Sequence, residues 1–207
     1  MRAEDLLERH PELWRAATHH PFLEGLRDGS LPAGAFRMWL VQDYLFVNDL
    51  LVFQSRLLAR SPRPAQAAIA GGLVALEAEL GWFEEMGERR SLALGAPRKP
   101  ATAAYRDLLA RLDGESYAAG IVALWAIERA YLEAWAGIAP GHPDYREFVE
   151  HWTVPEFAGY VAGLEEAADA ALEGASGDEL QEIEEAFREV SRMERDFWEM
   201  ALSEGDG

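Results

Sequence analysis

Three acidic residues sit where a folded chain would be expected to keep apolar ones. In "ALWAIERAYLEAW", Ala123 to Trp135, Glu128 interrupts an apolar and aromatic run. In "LVQDYLFVNDLLVF", Leu40 to Phe53, Asp43 does the same, and "SRMERDFWEMAL" near the end holds Glu194. Residues three or four apart share a helix face. Glu128 therefore keeps company with Leu124, Trp125, Tyr131 and Leu132, and Asp43 with Trp39, Leu40, Phe46 and Val47. Glu194 shares a face with Val190, Phe197 and Trp198. A carboxylate on such a face needs a partner or a purpose, because burying an unpaired charge costs several kcal/mol.

The plainer readings are a hydrogen-bonded core acid at Asp43 and an ordinary surface acid at Glu194, whose helix is rich in acids. Glu128 resists exposure more strongly, since both of its neighbours at three spacings are aromatic. Taken together, three acids on three aromatic faces predict one interior pocket walled by rings. Rings stack on a flat heteroaromatic molecule, and carboxylates accept from its amino groups. Burial and mutual repulsion would raise the acids' pKa values toward neutrality, where general acid–base catalysis works best.

Metal is the rival use of buried acids in a helical bundle, where Glu-x-x-His pairs supply the ligands. The five histidines, His10, His19, His20, His142 and His151, all fall near predicted helix ends or in connections. Glu77 and Glu79 in "EAE" point to different helix faces. A catalytic metal is therefore disfavoured, and haem on His19 or His20 more so. A glycine-rich phosphate loop and a Gly-x-Ser-x-Gly elbow are both absent from the sequence.

Helix-period patterning dominates the elements that must position these acids. It predicts helices over 4–18, 33–60, 65–87, 103–112, 117–136, 145–152, a stretch after Pro155 to 173, and 179–202. His20-Pro21 reads as a break, "DGSLP" as a turn, and "DGES" and "GASGDEL" as turns that cap the helices after them. The fold class is all-α, a single-domain bundle of seven or eight helices spanning 1–207.

Composition narrows the function further. With 37 acidic against 19 basic residues the formal net charge is −18, which disfavours binding to nucleic acid or to an anionic membrane. Polar residues interrupt every long apolar run, so no membrane span is predicted. The N-terminus lacks the apolar core of a signal peptide, and a cytoplasmic location is the simplest reading. The chain has no cysteine, hence no disulfide and no thiolate nucleophile.

The stretch "HPFLEGLRDGSLPAGAFRMWLVQDYLFV" resembles the start of the TenA / thiaminase II family. The resemblance continues in order through "LEAELGWFEEM", "PATAAYRDLL", "PGHPDYREFVEHW" and "MERDFWEMAL". It implies a haem-oxygenase-like all-α fold without haem, acting on thiamin or its pyrimidine breakdown products. The activity implied is hydrolysis of a carbon–nitrogen bond with salvage of hydroxymethylpyrimidine. By the same resemblance Asp43 would hold the pyrimidine's amino group and ring nitrogen. Glu194 would be the C-terminal catalytic acid and Tyr105 a pocket tyrosine. Phe46 and Trp152 stand where many members have tyrosine.

The departure is cysteine. Many members carry a nucleophilic cysteine near the position of Ile127, beside Glu128. This chain resembles the cysteine-less branch, which uses glutamate and has been linked to formylated aminopyrimidines. A carboxylate is a poorer nucleophile than a thiolate, which argues against classical thiamin cleavage.

The resulting expectation is an aminopyrimidine hydrolase with Glu128 and Glu194 as the catalytic pair. Asp43 anchors the ring, and Phe46, Tyr105, Tyr131 and Trp152 form the walls. Which glutamate is acid and which base is left open. Neither a cofactor nor a metal is called for. The partner is a small pyrimidine, and the resemblance implies a homo-oligomer, dimer or tetramer. The rivals are a metal- or haem-dependent oxygenase on the same fold and a non-enzymatic binding or regulatory protein.

Overall fold

The computed structural model describes residues 1–204, so the last three positions of the 1–207 unit lie outside the described residues. All regular structure among the described residues is helical: α1 (Glu4–Arg9), α2 (Pro11–Thr18), α3 (Pro21–Asp28), α4 (Ala33–Arg60), α5 (Gln66–Arg90), α6 (Pro100–Leu112), α7 (Tyr117–Gly137), α8 (Arg146–Trp152), α9 (Pro155–Gly174) and α10 (Gly177–Glu204). The architecture is the expected all-α bundle, with two helices more than the patterning predicts.

Both additions trace to proline. Pro11 lacks the N–H that a continuous first helix would need, so the chain stops at Arg9 and restarts with Pro11 in the first turn of α2. Pro21 breaks the chain and also starts it again. His20 Nδ1 accepts from the Phe22 amide at 3.2 Å, and α3 buries Phe22, Leu23 and Leu26. Gly29 closes α3 at φ +81°, a left-handed conformation that favours glycine.

The predicted caps are present. Ser116 Oγ accepts from the Ala119 amide at 3.1 Å and starts α7. Ser176 and Glu179 exchange side-chain and backbone hydrogen bonds ahead of α10.

Helix α7 is the centre of the bundle. Its residues from Ala118 to Glu128 are all buried, which is why its sequence is apolar on nearly every face. Helices α10 and α9 pack along it, and α4 bridges α5, α6 and α10. Rings fill the spaces between them. Trp39 lies against Trp135 at 5.4 Å, Trp14 stacks on Phe187 at 5.6 Å, and Tyr131 stacks on Trp198 at 5.7 Å. Trp198 Nε1 donates to the Ala17 carbonyl at 2.9 Å and ties α10 to the end of α2. Among the described residues no helix is long and apolar enough to cross a membrane.

Candidate active site

Asp43 lies in the middle of α4 on the face it shares with Trp39, Phe46 and Val47, and it is buried. Its Oδ2 accepts from the Tyr131 hydroxyl of α7 at 2.6 Å, and that hydroxyl accepts from Trp39 Nε1 at 3.3 Å. Its Oδ1 has no hydrogen-bond partner. A buried oxygen without a donor is costly unless a ligand completes it.

Asp43 belongs to the wall of a cavity of about 620 Å³. Asp43, Phe46, Ile127, Glu128, Tyr131 and Trp152 line it, together with Glu79, His151 and Tyr160. One flank is bare helix surface from Ala67, Ala68, Gly71, Gly72, Ala75 and Ala78 of α5. The volume falls within the range of ordinary small-molecule sites.

Trp152, at the end of α8, stacks on Trp135 at 4.7 Å and stands edge-on to Tyr131 at 5.5 Å. Its Nε1 donates to Glu79 Oε1 at 2.6 Å, which fixes the indole against the cavity. Phe46 packs on Tyr105 at 4.5 Å and on Phe197 at 5.9 Å.

Tyr105 and Glu194 are placed differently from the rest. The Tyr105 hydroxyl donates to Glu194 Oε1 at 2.5 Å, and both are buried. Neither lines the cavity; Phe46, which does, separates it from Tyr105. The structure thus brings Asp43, Phe46, Glu128, Tyr131 and Trp152 to one surface, with the Tyr105–Glu194 pair behind it.

Burial dominates the electrostatics. It pushes Glu128 up to about 8, with the charges of Glu79 and Glu194 adding to the effect. Burial likewise pushes Glu194 up to about 8, against the Tyr105 hydrogen bond that favours the carboxylate. Glu79 rises to about 7 for the same reason, against the Trp152 bond, and burial raises Asp43 well above the usual carboxylate range. His151 goes the other way, down to about 4, because burial disfavours its cation. Such a site holds carboxyl groups near the midpoint of proton exchange at neutral pH.

Three cavity residues escape the sequence reading. Glu79 shares a helix with alanines and glycines that face empty space, so no apolar stripe marks its side as interior. His151 lies 3.8 Å from Glu79 at the end of a short helix, and its place near a helix end hides its position at the cavity. Tyr160 follows Phe157 on the inner face of α9, one turn later, and that spacing is the one signal that would have found it. Among the described residues no three His, Cys, Asp or Glu side chains are grouped to hold a metal ion.

Comparison with known proteins bears on this geometry. The sequence pattern of the TENA/THI-4/PQQC family matches residues 7–204. A soybean (Glycine max) protein described as a probable bifunctional TENA-E protein is 32% identical, over 96% of this chain and 92% of its own. An aminopyrimidine aminohydrolase of Halalkalibacterium halodurans is 27% identical, over 98% of this chain and 96% of its own. Among solved structures, a TenA homologue from Pyrococcus furiosus superposes with a TM-score of 0.92 at 29% identity, covering 97% of this chain and all of that one.

Proposed function

This chain belongs to the TENA/THI-4/PQQC family, and from that premise we propose that it hydrolyses the exocyclic carbon–nitrogen bond of aminopyrimidines derived from thiamin. The observation that carries the reading is Asp43, a lining residue of a ring-lined cavity whose Oδ1 has no hydrogen-bond partner. An aminopyrimidine offers what that oxygen lacks. Its amino group donates to Oδ1, and Phe46, Tyr131 and Trp152 supply ring surfaces for its faces. The relative from Halalkalibacterium halodurans named as an aminopyrimidine aminohydrolase supports the same reaction class.

Water is the second substrate. One glutamate takes a proton from it as its oxygen attacks carbon, and the other delivers a proton to the departing nitrogen. Glu128 lies at the cavity surface and Glu194 behind it; these two are the proposed pair. With Ile127 in place of a cysteine, no thiolate is available, so the reading favours direct hydrolysis over a covalent thioether. A homo-oligomer belongs to the same proposal, and light scattering on the purified chain measures it.

A substrate panel tests the reading. The purified protein is incubated with aminomethylpyrimidine, its N-formyl form and thiamin, and products are weighed by mass spectrometry. Release of ammonia or formate from the first two, with thiamin slower, is the expected result. Binding of all three without turnover would make the protein a carrier rather than an enzyme.

A further inference from the structure

The cavity is larger than one pyrimidine needs. It holds about 620 Å³, whereas an apolar void of about 150 Å³ is enough for benzene. It is also long. On α5 its lining runs from Glu79 back to Ala67, which at about 1.5 Å per residue is about 18 Å.

Polar groups occupy one end of that length. Tyr131 donates to Asp43, Trp152 donates to Glu79, and the two rings meet edge-on at 5.5 Å, so these four side chains are neighbours. Glu128 marks the next level. The Tyr160 hydroxyl donates to Glu128 Oε1 at 3.5 Å, and a Cβ on Gly72 would lie 2.3 Å from the same hydroxyl. Glu128 therefore stands level with Gly72, about two turns along α5 from Glu79.

Beyond Gly72 the α5 lining is Gly71, Ala68 and Ala67, with no polar side chain. Leu50 of α4 and Phe157 of α9 add apolar surface to the same cavity. Gly71 is the telling residue of this arm. A Cβ there would meet nothing within 4 Å, so no neighbour in the fold requires a glycine. Glycine inside a helix costs stability relative to alanine. What its missing side chain leaves is room. The arm also has an end, since a Cβ on Gly163 of α9 would lie 3.3 Å from the Ala68 Cβ, where the two helices close.

We propose that this arm takes an apolar acyl chain, longer than formyl, carried on the exocyclic nitrogen of an aminopyrimidine. The ring lies at the Asp43 end, the amide at Glu128, and the chain along Gly71 and Ala68. The proposal rests on the hydrolytic reading above. In the reaction the water oxygen bonds to the acyl carbon and the amide carbon–nitrogen bond breaks. The electron pair of that bond leaves with nitrogen, which receives a proton given up by water. The products are a carboxylic acid and the free aminomethylpyrimidine.

Smaller or charged groups use the arm less well. An amino group brings no apolar surface, and a formyl group brings no chain, so either would leave the arm to water. A cationic ring needs a counter-charge. The α5 side of the arm offers none, and Glu156, which lines the cavity from α9, is exposed. An alkyl chain needs only burial, and each methylene removed from water favours binding about fourfold.

The test compares the formyl, acetyl, butanoyl and hexanoyl amides of aminomethylpyrimidine in the wild type and in Gly71→Leu, with the released amine measured by mass spectrometry. In the wild type kcat/KM should climb with chain length, about fourfold for each methylene that enters the arm, through a falling KM. Gly71→Leu sets a side chain in the arm where the fold has space for it. It should lower the hexanoyl-to-formyl ratio of kcat/KM by about tenfold or more. A flat or falling series in the wild type overturns the proposal, and so does a ratio that Gly71→Leu leaves unmoved. Thiamin losing more to Gly71→Leu than the hexanoyl amide does would seat a cationic ring in the arm instead, which also overturns it. If the wild type turns over none of the amides, the hydrolytic reading fails. Calorimetric titration of the hexanoyl and formyl amides into both proteins then decides the arm by itself: tighter hexanoyl binding that Gly71→Leu abolishes supports it, and equal binding overturns it.

Discussion

Asp43 shows how much one atom can carry. Its Oδ2 is satisfied by Tyr131 and its Oδ1 is not, so the side chain keeps one acceptor that the fold itself leaves unused. Asp43→Asn keeps the shape and removes the charge. A charge-assisted hydrogen bond contributes roughly 1.5–3 kcal/mol, so aminopyrimidine affinity should fall about tenfold to a hundredfold in calorimetric titration. Unchanged affinity would make Asp43 an ordinary core acid. For the proposed pair, Glu128→Gln and Glu194→Gln should each lower kcat on the order of 10²–10⁴-fold while the fold survives. Groups that act as a unit are non-additive, so the double variant should be little worse than the poorer single. A rate per folded molecule that stays normal in Glu128→Gln would remove it from the chemistry. That Asp43, Glu128 and Glu194 are buried was legible because helical spacing sets each acid among rings. Glu79 was not, because its neighbours Ala75 and Ala78 are small residues bordering a void rather than a packed core.

At the scale of elements, local chemistry is legible where it is self-contained. Ser116 capping α7 and the Ser176–Glu179 exchange before α10 need only three residues of sequence each. Ser116→Ala should lower stability by about 1 kcal/mol, read as a shift in the urea midpoint at unchanged slope. A shift near zero would mean that the Ser116 amide, which donates to Glu182 Oε1 at 2.8 Å, holds the helix start without the hydroxyl. Proline is less legible, since the same residue ends one helix and opens the next at Pro11 and Pro21. Deciding between a break and a restart needs the tertiary burial of Phe22, Leu23 and Leu26, which the local pattern does not contain. The meeting of Tyr160 with Gln54 and Glu128 is further out of reach. It joins α4, α5 and α9 through Gln54, Ile69 and Gly72, residues whose types carry no chemical signal alone.

At the scale of the whole molecule, a chain of net charge −18 holds a cluster of acids in its interior as well as on its surface. The two populations respond differently to pH. Surface carboxyls face water and add a self-repulsion that salt screens. The interior ones differ between states. Glu79 at about 7 and Glu128 and Glu194 at about 8 retain protons in the native chain that the unfolded chain has already lost. Stability therefore falls as pH rises through the window from their ordinary value of 4.5 to about 8, by about 1.4 kcal/mol per unit for each group still protonated. His151 acts in reverse. Its folded value near 4 lies below the ordinary 6.5, so it removes stability as pH falls from 6.5 toward 4 and offsets the carboxyls there. Above 6.5 the carboxyls act unopposed. The denaturation midpoint should drop between about pH 6.5 and 8.5, and Glu128→Gln or Glu194→Gln should flatten the drop by removing one titrating group. Each variant should accordingly gain more stability over the wild type at the upper pH than at the lower. Added salt separates this from surface repulsion, because screening lifts the midpoint at both pH values and leaves the slope between them. An equal gain from Glu→Gln at both ends of the window would show that these carboxyls ionise in the folded chain as they do in water, and the proposed acid–base pair would then lose its proton reserve.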